Sequence, residues 1–213
     1  MIVYCYDYQW DMSPLQHLHR IPEEEMVVTF LRMELASPRF EQTILAILQR
    51  DGRNRSMIDQ PDLTNAVDNR YRAQILGEHR GYGRDEDVFT SVPPDVRWYR
   101  AQATKADLAQ VRYIDYDYWT ELSGGSRLAV DAAERIRQGI EVFSVGNGGF
   151  WYLAAALRAG SSFPELILVG ADERGPLILL EGHVRLTAYF LAPECIPPLL
   201  PVIVGFAPGL DQK

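Results

Sequence analysis

Glu181, His183 and Arg185 stand at alternate positions of one short segment, Glu181-Gly182-His183-Val184-Arg185. Side chains of these three types so close together could bind a phosphate, move a proton or hold a cation. The planar fork of Arg185 matches phosphate oxygens two at a time. An imidazole such as His183 could donate to a phosphate oxygen or act as an acid or base near neutral pH. Glu181 could hold Mg2+, an ion commonly bound by one or two carboxylates together with substrate phosphates. Each also has a plainer role. Arg185 could be salt-bridged to Glu181 across the turn, His183 bonded to backbone at a helix start, and Glu181 bonded to the backbone of the turn.

The flanking residues say how this trio is held. Leu177 to Leu180 is an apolar run that predicts a short buried strand, and Glu181-Gly182 breaks it. From His183 the pattern turns helical and stops before Pro193, which cannot continue a helix. A strand that feeds a helix through glycine leaves the first helical N–H groups unpaired, and the helix dipole favours an anion there.

A second candidate is Ser123-Gly124-Gly125-Ser126-Arg127. Gly124 and Gly125 would let a ligand approach the backbone closely, and Ser126 and Arg127 supply donors just before a helix. A glycine-rich tight turn without a ligand is the competing reading. Upstream, Asp115, Asp117 and Glu121 are interleaved with Tyr113, Tyr116, Tyr118 and Trp119. An acid of this group could serve as general base, and a solvated acidic loop with aromatic packing is the alternative. Gly146-Asn147-Gly148-Gly149 precedes a helix and could close over a substrate, but it has neither dinucleotide-binding nor P-loop spacing. His17 and His19 have no third ligand type nearby.

The chain has 213 residues, 47% hydrophobic and 23% charged, and its net charge is −8. That is the composition of an ordinary globular protein, and neither half has the basic excess of a duplex-binding domain, so duplex DNA is not an expected partner. No apolar run approaches a membrane span. Met1 to Trp10 lacks a basic and then apolar leader pattern, so no signal peptide and a cytoplasmic location are expected. Cys5 and Cys195 are two thiols, not a disulfide framework.

Residues 1–95 read as a mainly helical region. Glu23 to Glu25 open one helix with the stripe Val27, Val28, Phe30, Leu31, Leu35. Ser37-Pro38 reads as the start of a second, and a third is predicted over 62–76, ending near Gly77. Val92-Pro93-Pro94-Asp95 is the best boundary. Residues 96–213 read as a mixed-sheet domain. Strands are predicted over 96–103, 111–115, 141–145, 166–169, 177–180 and 202–204. Helices are predicted over 107–110, 128–138, 150–159 and from 183. The predicted class is α+β (α/β-like).

The order of elements after residue 97, together with Leu179-Leu180-Glu181-Gly182-His183-Val184-Arg185-Leu186, resembles the ParB/sulfiredoxin superfamily. The resemblance covers roughly residues 97–205, with an insertion near 141–163. Its members carry a strand, a G-x-x-R turn and a helix that holds nucleotide phosphate. Sulfiredoxins have G-C-H-R, and His183 replaces that cysteine. Partition proteins have G-E-R-R and a following DNA-binding module, and neither is present. The free-serine kinases have D-G-H-H-R. Here Glu181 replaces the acid and Val184 the second histidine. The resemblance implies a nucleotide-binding protein that takes a nucleoside di- or triphosphate with Mg2+. Gly182, His183, Arg185, Gly124, Gly125, Ser126 and Arg127 would bind the nucleotide, and Glu181 the metal. His183, Asp117 and Glu121 would be catalytic if a phosphoryl group passes to a small-molecule acceptor. Replacing Arg185 by Ala is then expected to abolish binding and leave the fold intact. The alternative is a non-catalytic nucleotide- or anion-sensing or protein-interaction module, with a dimer as one possible form.

Overall fold

A computed structural model describes residues 15–213; Cys5 and the stretch from Met1 to Trp10 lie outside the described residues. The chain enters as strand β1 (Leu15–Arg20), then runs through helices α1 (Glu23–Ala36), α2 (Glu41–Arg50), α3 (Ser56–Asp59) and α4 (Ala66–Arg80). Strand β2 (Arg97–Ala103), α5 (Lys105–Leu108), β3 (Arg112–Tyr113), α6 (Asp117–Leu122), α7 (Ala129–Arg137) and α8 (Gly148–Arg158) follow. The last elements are β4 (Leu166–Gly170), β5 (Ile178–Glu181), α9 (His183–Leu191) and β6 (Leu200–Phe206).

Among the described residues the six strands form one mixed sheet in the order β1-β2-β6-β4-β5-β3. β2 is antiparallel to β1 and β6, β6 is parallel to β4, β4 antiparallel to β5, and β5 parallel to β3. The fold is α+β, with helices on both faces of the sheet. The reason lies in the two-residue period of the strands. Leu166, Leu168, Leu179, Val202 and Val204 face α7, α8 and α9. Ile167, Val169, Ile178, Leu180 and Ile203 face a second core built from α1 to α4. The N-terminal helices thus cover one side of a sheet whose central strands come from the C-terminal region.

Several predicted boundaries move. The expected third helix is α4, which starts later because Asn65 caps it, accepting from the N–H groups of Val67 and Asp68. It also runs past Gly77 to end on Gly81, which is left-handed at φ +78°. Gly77 lies inside the helix, and its lack of a side chain lets the Tyr82 carbonyl oxygen pack where a Cβ would be 2.7 Å away. Ser37 closes α1 and does not cap α2, which begins at Glu41. The short helix expected over 107–110 is α5, shifted to Lys105–Leu108 by a capping box between Thr104 and Asp107. The strand expected over 141–145 is only an isolated bridge between Val142 and Val145, with Phe143 and Ser144 at positive φ between them. β1 was not foreseen. It is mostly polar and exposed, which is how an edge strand reads.

Candidate functional site

The predicted strand, glycine and helix are present at β5, Gly182 and α9. Gly182 is left-handed at φ +112°, and an added Cβ would lie 2.5 Å from Leu166 Cδ2 and 3.1 Å from Arg185 Nη2. No larger residue fits that corner. Leu186 N–H donates to Gly182 O at 2.8 Å, which closes the first turn of α9. The N–H groups of its first turn, which have no intrahelical acceptor in any helix, receive no side-chain cap here.

His183 sits on this turn at 8% exposure. Its ring stacks on Trp119 of α6, centroid to centroid at 4.8 Å and 21° between planes, and Tyr113 lies 5.7 Å away. Thr187 donates its hydroxyl proton to His183 O at 2.7 Å, so the Tyr113 hydroxyl, 2.6 Å from Thr187 Oγ1, is the donor in that contact. The Nε2 of His183 is buried with no partner. Burial, helped by the charges of Arg80 and Arg185, pulls its pKa down to about 3, so the ring is neutral at neutral pH.

Arg185 turns back on its own strand. Its Nη1 donates to Pro164 O at 2.9 Å, while Nη2 reaches Glu181 Oε1 at 3.3 Å and rests against Met33 Sδ of α1. Its side chain is only 11% exposed. Burial pushes the Glu181 carboxyl up, and Arg185 opposes that shift. This is the salt-bridged arrangement that the sequence offered as the plainer role.

Sequence reasoning missed the groups that α1 and α4 add. Glu34 follows Met33 and is 2% exposed; its Oε2 lies 2.8 Å from His79 Nε2 and its Oε1 3.5 Å from Arg80 Nε. Arg80 Nη1 also reaches Asp87 Oδ2 at 3.1 Å, and the Tyr116 hydroxyl donates to Asp87 Oδ1 at 2.9 Å. Partial burial, and then the contact with Asp87, push the Tyr116 phenol up to about 12. A signal was legible in the sequence. Glu34 falls three residues after Leu31 and seven after Val27, so it lies on the apolar stripe of α1. A carboxylate on a core-facing stripe needs a buried partner.

Other predicted site residues are not brought to this turn. Trp119 is the residue of α6 that meets His183, while Asp117 and Glu121, two positions away on either side, project from the opposite face of that helix and are exposed. Glu121 lies 3.9 Å from Arg135, and Asp115, also exposed, 4.0 Å from Arg127. The loop of Gly124, Gly125, Ser126 and Arg127 uses its donors internally. Arg127 Nε donates to Tyr113 O at 2.8 Å and Nη2 to Lys213 O, Ser126 Oγ to Ser123 O at 3.1 Å, and Ser123 Oγ accepts from Arg127 N–H at 2.8 Å.

Glu181, the residue expected to hold Mg2+, faces Arg185 instead of open space. Its carboxylate is already committed to a guanidinium, and among the described residues no group of three His, Cys, Asp or Glu side chains could hold a metal. His17 and His19 stand exposed on β1, and Cys195 is a free, half-buried thiol. Among the described residues no helix is long and apolar enough to cross a membrane. Comparison with family models, curated proteins and solved structures returned no match.

Proposed function

We propose that this protein is a ParB/sulfiredoxin-like module that binds a nucleoside phosphate at the start of α9 and does not turn it over. The observation that carries the reading is the buried, unpartnered Nε2 of His183 beside an uncapped helix N-terminus. A phosphate oxygen accepting from Nε2–H and from first-turn amides would satisfy both, and the helix dipole would add to the attraction. Arg185 would then exchange one of its acceptors for the phosphate. Three features speak against phosphotransfer. A His183 ring neutral down to about pH 3 is a poor proton donor and a weak base, Asp117 and Glu121 face away from it, and the Glu181 carboxylate is engaged with Arg185.

Thermal unfolding with ATP, ADP, CTP and GTP, with and without Mg2+, tests this. A ligand at 100 times its dissociation constant adds about 2.7 kcal/mol. The expected result is selective stabilisation that does not require Mg2+. His183→Phe keeps the ring stack on Trp119 and deletes Nε2. It should be at least as stable as wild type without ligand and lose the ligand's effect. No stabilisation by any nucleotide would end the binding reading. Steady consumption of ATP that disappears in His183→Phe would replace it with the phosphotransferase reading.

A second reading, the protein-interaction module, is favoured by one surface feature. Phe143, Val145 and Tyr152 are 65%, 48% and 74% exposed in the segment around the start of α8. Sedimentation of the wild type against Phe143→Asp/Tyr152→Asp checks it: a dimer that dissociates in the variant supports this reading, and a wild-type monomer removes its self-association form.

A further inference from the structure

A cleft of about 400 Å³ opens where β1 passes into α1 and β2 begins, with β6 and β4 between β2 and the strand that leads to α9. Arg20 to Glu23 line one side of it and Val96 to Trp98 the other. That volume falls within the range of small-molecule sites, about 300–1,000 Å³. Arg20 and Arg97 are exposed, and among the described residues neither makes an ion pair or a hydrogen bond. The lining carboxylate, Glu23, already accepts from the Tyr82 hydroxyl, and Glu25 is paired with Arg100 at 2.9 Å. Two free guanidinium groups thus face one engaged carboxylate, in a chain whose net charge is −8.

Trp98 is 2% exposed, and its Nε1 is buried with no partner. The Cε3–Cζ3 edge of the indole lies against Gly205 of β6, where an added Cβ would come within 2.9 and 2.7 Å of those atoms. Nε1 is on the opposite edge of the ring, so it faces away from β6, toward the β1 side of β2, where the cleft lies. An indole nitrogen and a guanidinium only donate. Three such groups in one cleft call for a ligand that accepts, and Ile21, Pro22 and Val96 offer its body an apolar wall. One indole hydrogen bond suits one oxygen of a carboxylate, whereas a phosphate would press its further oxygens against that wall.

We propose that this cleft is a separate binding site for a small organic carboxylate. One carboxylate oxygen accepts from Trp98 Nε1–H, Arg20 and Arg97 hold the charge, and the apolar body lies on Ile21, Pro22 and Val96. The site shares no residue with the α9 turn and does not rest on the nucleoside-phosphate reading.

The chain has four tryptophans, so the indole N–H signals of a proton–nitrogen NMR spectrum are few, and Trp98→Phe assigns the one from Trp98. Hexanoate at millimolar concentration should move that signal saturably and leave the other indole signals in place. Hexanol, with the same tail and no charge, should bind at least ten times more weakly. Arg20→Gln/Arg97→Gln changes two exposed side chains, so the fold should be kept, and it should raise the Kd for hexanoate at least ten-fold. A Trp98 signal that ignores hexanoate would overturn the site. Equal binding of hexanol, or an unchanged Kd in the double variant, would overturn the role of the charge. Inorganic phosphate that binds as tightly as hexanoate would overturn the organic carboxylate as its ligand.

Discussion

The turn at Gly182 and the turn at Gly124-Gly125 look alike in sequence, each with glycine, an arginine and a following helix, and they differ in what they leave unpaired. At the second, Arg127 donates to two backbone carbonyls, and the Ser123 and Ser126 hydroxyls stitch the loop. Its glycines face open space or the Arg135 side chain. At the first, Arg185 is held by a carboxylate and a carbonyl under the helical layer, a glycine is required by contact with Leu166, and one imidazole nitrogen has no partner. The lesson is that glycine plus arginine marks a turn, whereas an orphan buried donor marks a place for a ligand.

The largest effect that could break this contrast is the loss of Arg185. Arg185→Ala leaves the largely buried Glu181 without its partner, and breaking a buried pair costs about 3–5 kcal/mol. That variant should therefore unfold at much lower urea, contrary to the expectation from sequence that the fold survives intact. Arg127→Ala removes hydrogen bonds to carbonyls at a partly solvated turn and should cost about 1–2 kcal/mol. Equal costs in urea titrations would erase the distinction.

Next come the glycines. Gly182→Ala meets both left-handed strain and a 2.5 Å approach to Leu166 Cδ2, and it should cost about 3 kcal/mol or more. Gly125 is also left-handed, at φ +93°, but nothing lies within 4 Å of an added Cβ. Gly125→Ala should therefore cost only about 1–2 kcal/mol by thermal or urea unfolding.

A smaller effect is tied to pH. Burial depresses the pKa of His183 to about 3 in the folded chain, from the ordinary 6.5 of an exposed imidazole. Between those values the unfolded chain binds the extra proton, so stability is present above pH 6.5 and is lost as pH falls toward 3. The slope from this residue is at most about 1.4 kcal/mol per pH unit. Urea midpoints at pH 7 and pH 5 should fall less in His183→Phe than in wild type; identical falls would mean that the ring is not buried neutral.

The smallest effect belongs to Ser126→Ala, which loses the contacts to Ser123 O and Leu128 N–H on an exposed turn. It should cost about 0.5–1 kcal/mol and leave any nucleotide-induced stabilisation unchanged. Loss of that stabilisation would return the second turn to the site.

Much of the architecture was legible because apolar runs and turn residues are local signals. Leu166 to Val169 and Leu177 to Leu180 predicted β4 and β5, and the stripe from Val27 to Leu35 predicted α1. Boundaries slipped where a cap decided them, as at Asn65 and the left-handed Gly81. β1 escaped because an exposed edge strand carries little periodic signal. Of the site, Glu181, Gly182, His183 and Arg185 were legible from type and spacing. The side of α6 on which Asp117 and Glu121 fall was knowable in principle from helical geometry, but only once Trp119 was known to be the residue that faces His183.

The sequence by itself determined the strand, glycine and helix at residues 178–191, because a left-handed corner and an apolar run are properties of neighbouring residues. It also determined that Glu34, on an apolar stripe, must find a partner. Only the tertiary structure decided which partner. Packing α1 and α4 on the face of the sheet opposite α9 brings Met33, Glu34 and Arg80 to a turn about 100 to 150 residues further along the chain. Burial there sets the charge state of His183, because removal of water disfavours the charged ring whatever its neighbours in sequence.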